Sequence, residues 1–269
     1  MKKLISVICI FTMLFAFGAC GGKQGGGAPE TTDPAVPENV DPAALTLRIV
    51  SGAGTNQLVL AGEQSGEVYT LGAGQLTLFI DGAAASASDL KNGMLLSFDP
   101  GYMLLETWPM QITGATARAK SETEDDDHGD LSGVYLQVLE DLWTDDSGLN
   151  GDITYISVDL HSAPGGLTDG EKAAVAWIFA GRHNAQGLQY SFEELKEKGY
   201  IKADILYWED GLLFGISQPE NGNSTAKKLR FDAKKWRSGL GAIFYNDCTA
   251  KRGNGVSWEA YQPGSFAIS

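Results

Sequence analysis

Apolar and polar residues follow three rhythms along this chain, and each predicts a different kind of structure. The first is a single apolar run from Leu4 to Phe17. In the second, from Leu45 to about Ala119, short apolar–polar alternations are separated by glycine-rich turns, the period-two pattern of half-buried strands. Strands are expected at 45–50, 57–61, 67–71, 76–81, 94–99, 102–106 and 111–118, with one helical turn in Ser88-Asp-Leu-Lys-Asn-Gly93 stopped by its glycine. About 75 residues of short strands without a longer helix predict a closed or nearly closed barrel, because closure removes exposed sheet edges.

The third rhythm is mixed. Val134, Leu136, Val138, Leu139 and Leu142 fall largely at helical spacing, and 153–160 alternates as a strand does. Thr168-Asp-Gly-Glu171 is a capping box opening a helix over 172–183, and Ser191-Phe-Glu-Glu194 is another, opening a short helix closed by Gly199. Segments 202–209 and 212–218 flank Asp210-Gly211 and predict a hairpin with a primed turn. Further strands are expected at 227–232, 241–249 and 256–261, the last two joined through Gly253-Asn254-Gly255. Helices and strands are partly segregated, which is an α+β arrangement. The expected fold class is therefore an all-β small barrel over 45–120, an acidic hinge at 121–131, and an α+β domain over 132–269.

Lys2 and Lys3 precede the first apolar run, which is shorter than the roughly 20 residues of a membrane-spanning helix and ends in small residues. Residues 1–19 therefore read as a signal peptide. Phe17-Gly18-Ala19-Cys20 resembles the bacterial lipobox, with Phe17 where an aliphatic residue is usual. The resemblance implies that Cys20 becomes the mature N-terminus and carries a diacylglycerol, whose two acyl chains anchor stably where one would bind marginally. Residues 21–44, rich in Gly, Pro, Thr and acidic side chains, have little to bury and are expected to be a disordered tether spanning about 25–30 Å. The protein is thus expected to be exported and held by lipid at the outer face of the cell membrane.

The formal net charge is −14, and cleavage after residue 19, which removes only Lys2 and Lys3, brings it to −16. Nucleic acid is excluded as a partner, and the clusters at 227–230 and 234–237 read as exposed faces of strands or turns. Of three cysteines, Cys9 leaves with the signal and Cys20 takes the lipid, so Cys248 has no intramolecular partner. Its strand-like surroundings make it a buried structural thiol rather than a nucleophile lacking a base.

Glu106-Thr107-Trp108-Pro109-Met110-Gln111, together with the strand order before it, resembles a small OB-like barrel domain found in Gram-positive lipoproteins of unknown function, with Trp108 replacing the more usual tyrosine. The resemblance implies a fold and a compartment but no reaction. Glu106, Trp108 and Gln111 are the candidate binding residues it supplies; the alternative is a hydrogen-bonded corner around rigid Pro109. Lys235-Trp-Arg-Ser-Gly-Leu-Gly241 and Ala267-Ile-Ser269 resemble uncharacterised C-terminal regions of similar lipoproteins. The two capped helices, Gly199-Tyr-Ile and the expected hairpin also resemble a winged helix-turn-helix, a likeness of local geometry in an acidic exported chain.

Catalytic signatures are missing: there is no Gly-x-Ser-x-Gly, no His-Glu-x-x-His and no phosphate-binding loop. Ser-x-x-Lys at 88–91 and 224–227 has no Lys-Thr-Gly companion, and calcium-loop spacing fails from Asp125 and from Asp146. No catalytic residue, metal ligand or cofactor is assigned. His128, His161 and His183 fall in the hinge, a strand end and a helix end. The expected role is a non-enzymatic binding module for an envelope protein, peptide or glycan. The rival is an envelope hydrolase using Asp159, His161 or Cys248. A concave pocket gathering Trp, Tyr and carboxylate side chains would favour a ligand over flat protein–protein contact.

Overall fold

The structure, a computed structural model, describes residues 45–121, 127–202 and 204–269. The expected signal peptide, Cys20 and tether lie outside the described residues, as do residues 122–126 of the acidic stretch. The described part is mostly β-sheet, with two open sheets and three α-helices.

The first sheet is built from β1 (Leu45–Ser51), β2 (Gln57–Ala61), β3 (Val68–Gly72), β4 (Leu76–Ile80), β5 (Ala83–Ala85), β6 (Leu95–Phe98), β7 (Met103–Leu105), β8 (Met110–Thr113) and β9 (Ala115–Ala119). Their order is β5-β4-β9-β6-β1-β2-β3-β8-β7, so the hydrogen-bonded ladder has two ends, at β5 and β7, rather than the ring of a closed barrel. The strand expected over 111–118 is two strands, broken at Gly114, whose φ of 63° lies in the left-handed region. Leu47, Ile49, Leu58, Leu60, Leu71, Leu96 and Phe98 form the core of this sheet.

The second part runs α1 (Leu131–Thr144), β10 (Tyr155–Asp159), α2 (Asp169–Arg182), β11 (Gln186–Leu188), α3 (Phe192–Glu197), β12 (Gly211–Ser217), β13 (Lys228–Ser238), β14 (Gly241–Lys251) and β15 (Ser265–Ile268). The sheet order is β11-β10-β12-β13-β14-β15, with β10 parallel to both β11 and β12 and the later pairs antiparallel. Leu212, Phe214 and Ile216 join the core with α1 and α2, while Leu213 joins Leu195, Ile201 and Trp208 in a second cluster. Both faces of β12 are covered, which is why it reads as a continuous apolar run.

Two sequence expectations are corrected. Segments 202–209 and 212–218 do not form a hairpin: Lys202 and Tyr207 make only isolated bridges, and β12 pairs with β10 and β13 instead. Burial on both faces of β12 outweighs the turn preference of Asp210-Gly211. Segment 256–261 is not a strand; the outer partner of β14 is β15.

The two sheets share their packing. Leu47 and Ile49 of β1 face their own core, while Val50 on the other face, with Ala61 and Val68, joins the core around α1 and α2. In return Val256 is buried in the core of the nine-stranded sheet.

Candidate functional site

The junction between the sheets is polar at its centre and is where the concave surface forms. Arg48, on the outward face of β1, donates from Nη1 to Gly93 O and to Asp127 Oδ1, both at 2.7 Å, and from Nε to Glu171 Oε1 at 3.0 Å. His128 donates from Nε2 to the same Glu171 oxygen at 2.9 Å. Burial alone would raise the Glu171 pKa. The His128 hydrogen bond and charge, helped by Arg48 and the Thr168 amide, outweigh it and hold the carboxyl below its usual range. Thr168, the N-cap of α2, bonds to the Glu171 amide and also donates to Gly62 O at 2.6 Å, docking the helix start onto the β2–β3 turn.

Above this junction lies a groove of about 430 Å³ walled by Asn92, Asp130, Glu140, Arg182, Trp258 and Glu259. Gly133, Gln137 and Glu140, at positions i, i+4 and i+7, make one face of α1 its wall. Glu140 accepts from Arg182 Nη1 and from His183 Nε2, each at 3.0 Å. The His183 ring stacks on Trp143 with centroids 3.7 Å apart. Burial lowers the His183 pKa against the opposing pull of Glu140, which keeps the ring neutral and donating. Trp258 is fixed by its Nε1–H, which donates to His128 O at 2.7 Å. Asp130 caps α1 by accepting from Gly133 N at 3.0 Å, and burial pushes its carboxyl up to about 6. The groove therefore offers an aromatic face, fixed carboxylates, an amide and a guanidinium on rigid supports.

The sequence-derived candidates lie elsewhere. Glu106, Trp108 and Gln111 gather at the β7–β8 turn on the sheet edge, all exposed, Trp108 by 56%, and none lines the groove. Thr107 Oγ1 donates to Pro109 O there, but among the described residues neither the Glu106 nor the Gln111 side chain makes a hydrogen bond. They sit beside exposed Met103, Leu104 and Leu105. Asp159 and His161 do converge, with Oδ1 and Nδ1 2.8 Å apart at the surface. Cys248 is buried opposite Phe231, and burial raises its thiol pKa, which suits a structural thiol. Lys235, expected on an exposed face, is fully buried: its ammonium donates to Asp145 O at 2.8 Å, Asp146 O at 3.1 Å and Trp143 O at 3.3 Å, closing the C-terminal end of α1. Strand parity carried that signal, since Leu229, Phe231, Ala233 and Lys235 share the inward face of β13.

No protein-family model matches this chain, and no curated protein matches it in sequence.

Proposed function

We propose that this chain is a lipid-anchored extracytoplasmic binding protein, non-enzymatic, that takes a peptide or glycan of the cell envelope in the groove between its sheets. In this reading Cys20 carries the diacylglycerol and 21–44 is the tether. The folded part is an OB-like barrel followed by an α+β domain, presented at the outer face of the cell membrane. The observation that carries it is the convergence of Trp258 with Asp130, Glu140, Arg182 and Glu259 on one groove of about 430 Å³. That volume lies within the range of small-ligand clefts, and planar polar groups beside an aromatic ring suit amides and hydroxyls. The rival reading, an envelope hydrolase, has the Asp159–His161 pair in its favour. Among the described residues no hydroxyl is hydrogen-bonded to that ring, and buried Cys248 is no nucleophile.

The test is calorimetric titration of the full chain, extracted in detergent, with soluble peptidoglycan fragments. Saturable binding weakened about tenfold or more by Trp258→Ala and by Arg182→Ala, but unchanged by Trp108→Ala, is expected. An absence of saturable binding, or turnover of the fragments by the purified protein, would overturn the reading.

A further inference from the structure

A second concavity, of about 280 Å³, lies at the carboxyl ends of β10 and β11 and is lined by Ser65, His161, Asp169, Lys172 and Gln189. Its place in the fold is informative. From β10 the chain crosses through α2 to β11 on one side, then returns through α3 to β12 on the other, so the strand order reverses about β10. In sheets with parallel strands, the crevice beyond the carboxyl ends at such a switch point is where ligands bind.

The side chains here form a set of donors. Lys172 Nζ is held by Asp169 Oδ1 at 3.0 Å, leaving two of its three N–H groups for other acceptors. The Asp159 carboxylate can only accept, so His161 Nδ1, 2.8 Å away, carries a proton and Nε2 is the ring nitrogen left for another partner. Ser65 brings a hydroxyl from the β2–β3 turn and Gln189 an amide from the end of β11. The α2 terminus itself contributes no free donors among Gly170, Glu171 and Lys172, whose amides are bonded to Glu63 O, Thr168 Oγ1 and Thr168 O. The donor set therefore consists of side chains from four parts of the chain: the β2–β3 turn, the end of β10, α2 and the end of β11.

We propose that this strand-end pocket is an anion subsite, taking a carboxylate or phosphate group between the Lys172 ammonium and a protonated His161, with Ser65 and Gln189 completing its hydrogen bonds. Its volume, just below that of whole-ligand clefts, suits one head group. Binding takes up a proton, because Nε2 offers a lone pair when neutral and a donor only when protonated. The charged groups facing the ring are Asp159 at the end of β10, Asp169 and Lys172 on α2, and Glu194 on α3. The three carboxylates repel an anion, so its binding rests on the Lys172 ammonium and on a proton at His161 Nε2. The proposal is independent of the groove and stands or falls separately.

The test is NMR of the full chain in detergent, labelled with 13C in the histidine rings, titrated with sodium acetate and separately with sodium phosphate at fixed ionic strength. His161→Gln assigns the resonance. One or both anions should move the His161 signal saturably and raise its titration midpoint by about one pH unit, a tenfold coupling between proton and anion. Movement with acetate alone identifies a carboxylate subsite, and with phosphate alone a phosphate subsite. Lys172→Met should abolish the effect and Ser65→Ala weaken it, while unchanged His128 and His183 signals report that each variant is folded. A His161 midpoint unmoved by either anion, or moved equally in Lys172→Met, would overturn the proposal.

Discussion

Glu171 Oε1 receives both Arg48 Nε at 3.0 Å and His128 Nε2 at 2.9 Å, with the Glu171 side chain only 1% exposed and Arg48 11%. One carboxylate thus ties the outer face of β1, the residues before α1 and the first turn of α2 into one knot beneath the groove. Breaking a buried pair costs about 3–5 kcal/mol when the remaining charge is left alone; here Arg48 keeps Asp127 and Glu171 keeps His128, so the lower end of that range, about 3 kcal/mol, applies. Glu171→Gln and Arg48→Met should each lower stability by that order in urea unfolding of the full chain. The double variant should cost clearly less than the sum, because the Arg48–Glu171 contact that each single variant breaks is lost only once. Additive losses would mean the two side chains are not coupled. The pH dependence follows in sign: the folded pKa is held below the ordinary carboxylate value, so the stabilisation is present at neutral pH. It is lost as pH falls through and below the usual carboxylate range, and Glu171→Gln should flatten that acid limb.

Gly170 shows how close the two parts approach. A Cβ there would lie 2.4 Å from Gly62 O and 2.9 Å from Gln64 O, both backbone atoms that cannot swing away. Gly170→Ala gains up to about 1 kcal/mol of helix propensity but forces the helix off the β2–β3 turn, and overpacking of this kind costs about 1–3 kcal/mol. A net loss is expected. Gly181→Ala on the same helix meets nothing within 4 Å and should stabilise. Thermal unfolding of the pair decides it; a gain in both would show that the helix start is free to shift.

Much of the fold was legible residue by residue, and the failures share one cause. Capping boxes at Thr168 and Ser191 placed α2 and α3 within a few residues, because those signals are local. Asp210-Gly211 misled because the partners of β12 are strands distant in sequence, and the pairing buries Leu212 to Ile216 on both faces. The groove was not legible at all. Its walls come from the stretch before β6, from α1, from the end of α2 and from the chain after β14, and no local spacing links Asn92 to Trp258. Glu171 was visible only as a capping-box acid, since its second role needs Arg48, 123 positions earlier in the numbering.

Lys235 is the residue whose charge is most out of place for its neighbourhood, with Trp143 packed 5.9 Å from its ammonium. Lys235→Met fills the space but leaves the carbonyls of Trp143, Asp145 and Asp146 short of a donor, a loss of about 1–3 kcal/mol. Burial lowers the Lys235 pKa from 10.5 to about 8. Above pH 8 the unfolded chain binds more protons at this site than the native one, so the contribution of Lys235 to stability should rise with pH. Cys248, Tyr135, Tyr245 and Tyr261, all pushed up by burial, act the other way as their unfolded counterparts ionise, and they do so in wild type and Lys235→Met alike. Urea unfolding from pH 7 to 10 should show the stability of wild type rising relative to that of Lys235→Met. A difference that stays constant with pH would mean that Lys235 titrates alike in the native and unfolded states.

Asp130 separates the capping role of a side chain from the cost of its charge. Asparagine caps a helix as well as aspartate, so Asp130→Asn keeps the acceptor for Gly133 N while removing the ionisable group; Asp130→Ala removes both and should lose about 1 kcal/mol. With a folded pKa raised by burial from 3.8 to about 6, the native state holds an extra proton between those values. Native stability at this site is therefore fully expressed at acid pH and declines as pH rises through 6. The positive end of α1 opposes that decline by about 0.3–1 kcal/mol, a smaller effect than a shift of this size implies. Relative to wild type, Asp130→Asn should gain stability on going from pH 4 to pH 7. The Glu171 titration is common to both proteins and cancels in the difference. Urea unfolding at the two pH values measures it directly, and an unchanged difference would mean that the carboxylate is adequately solvated through the mouth of the groove.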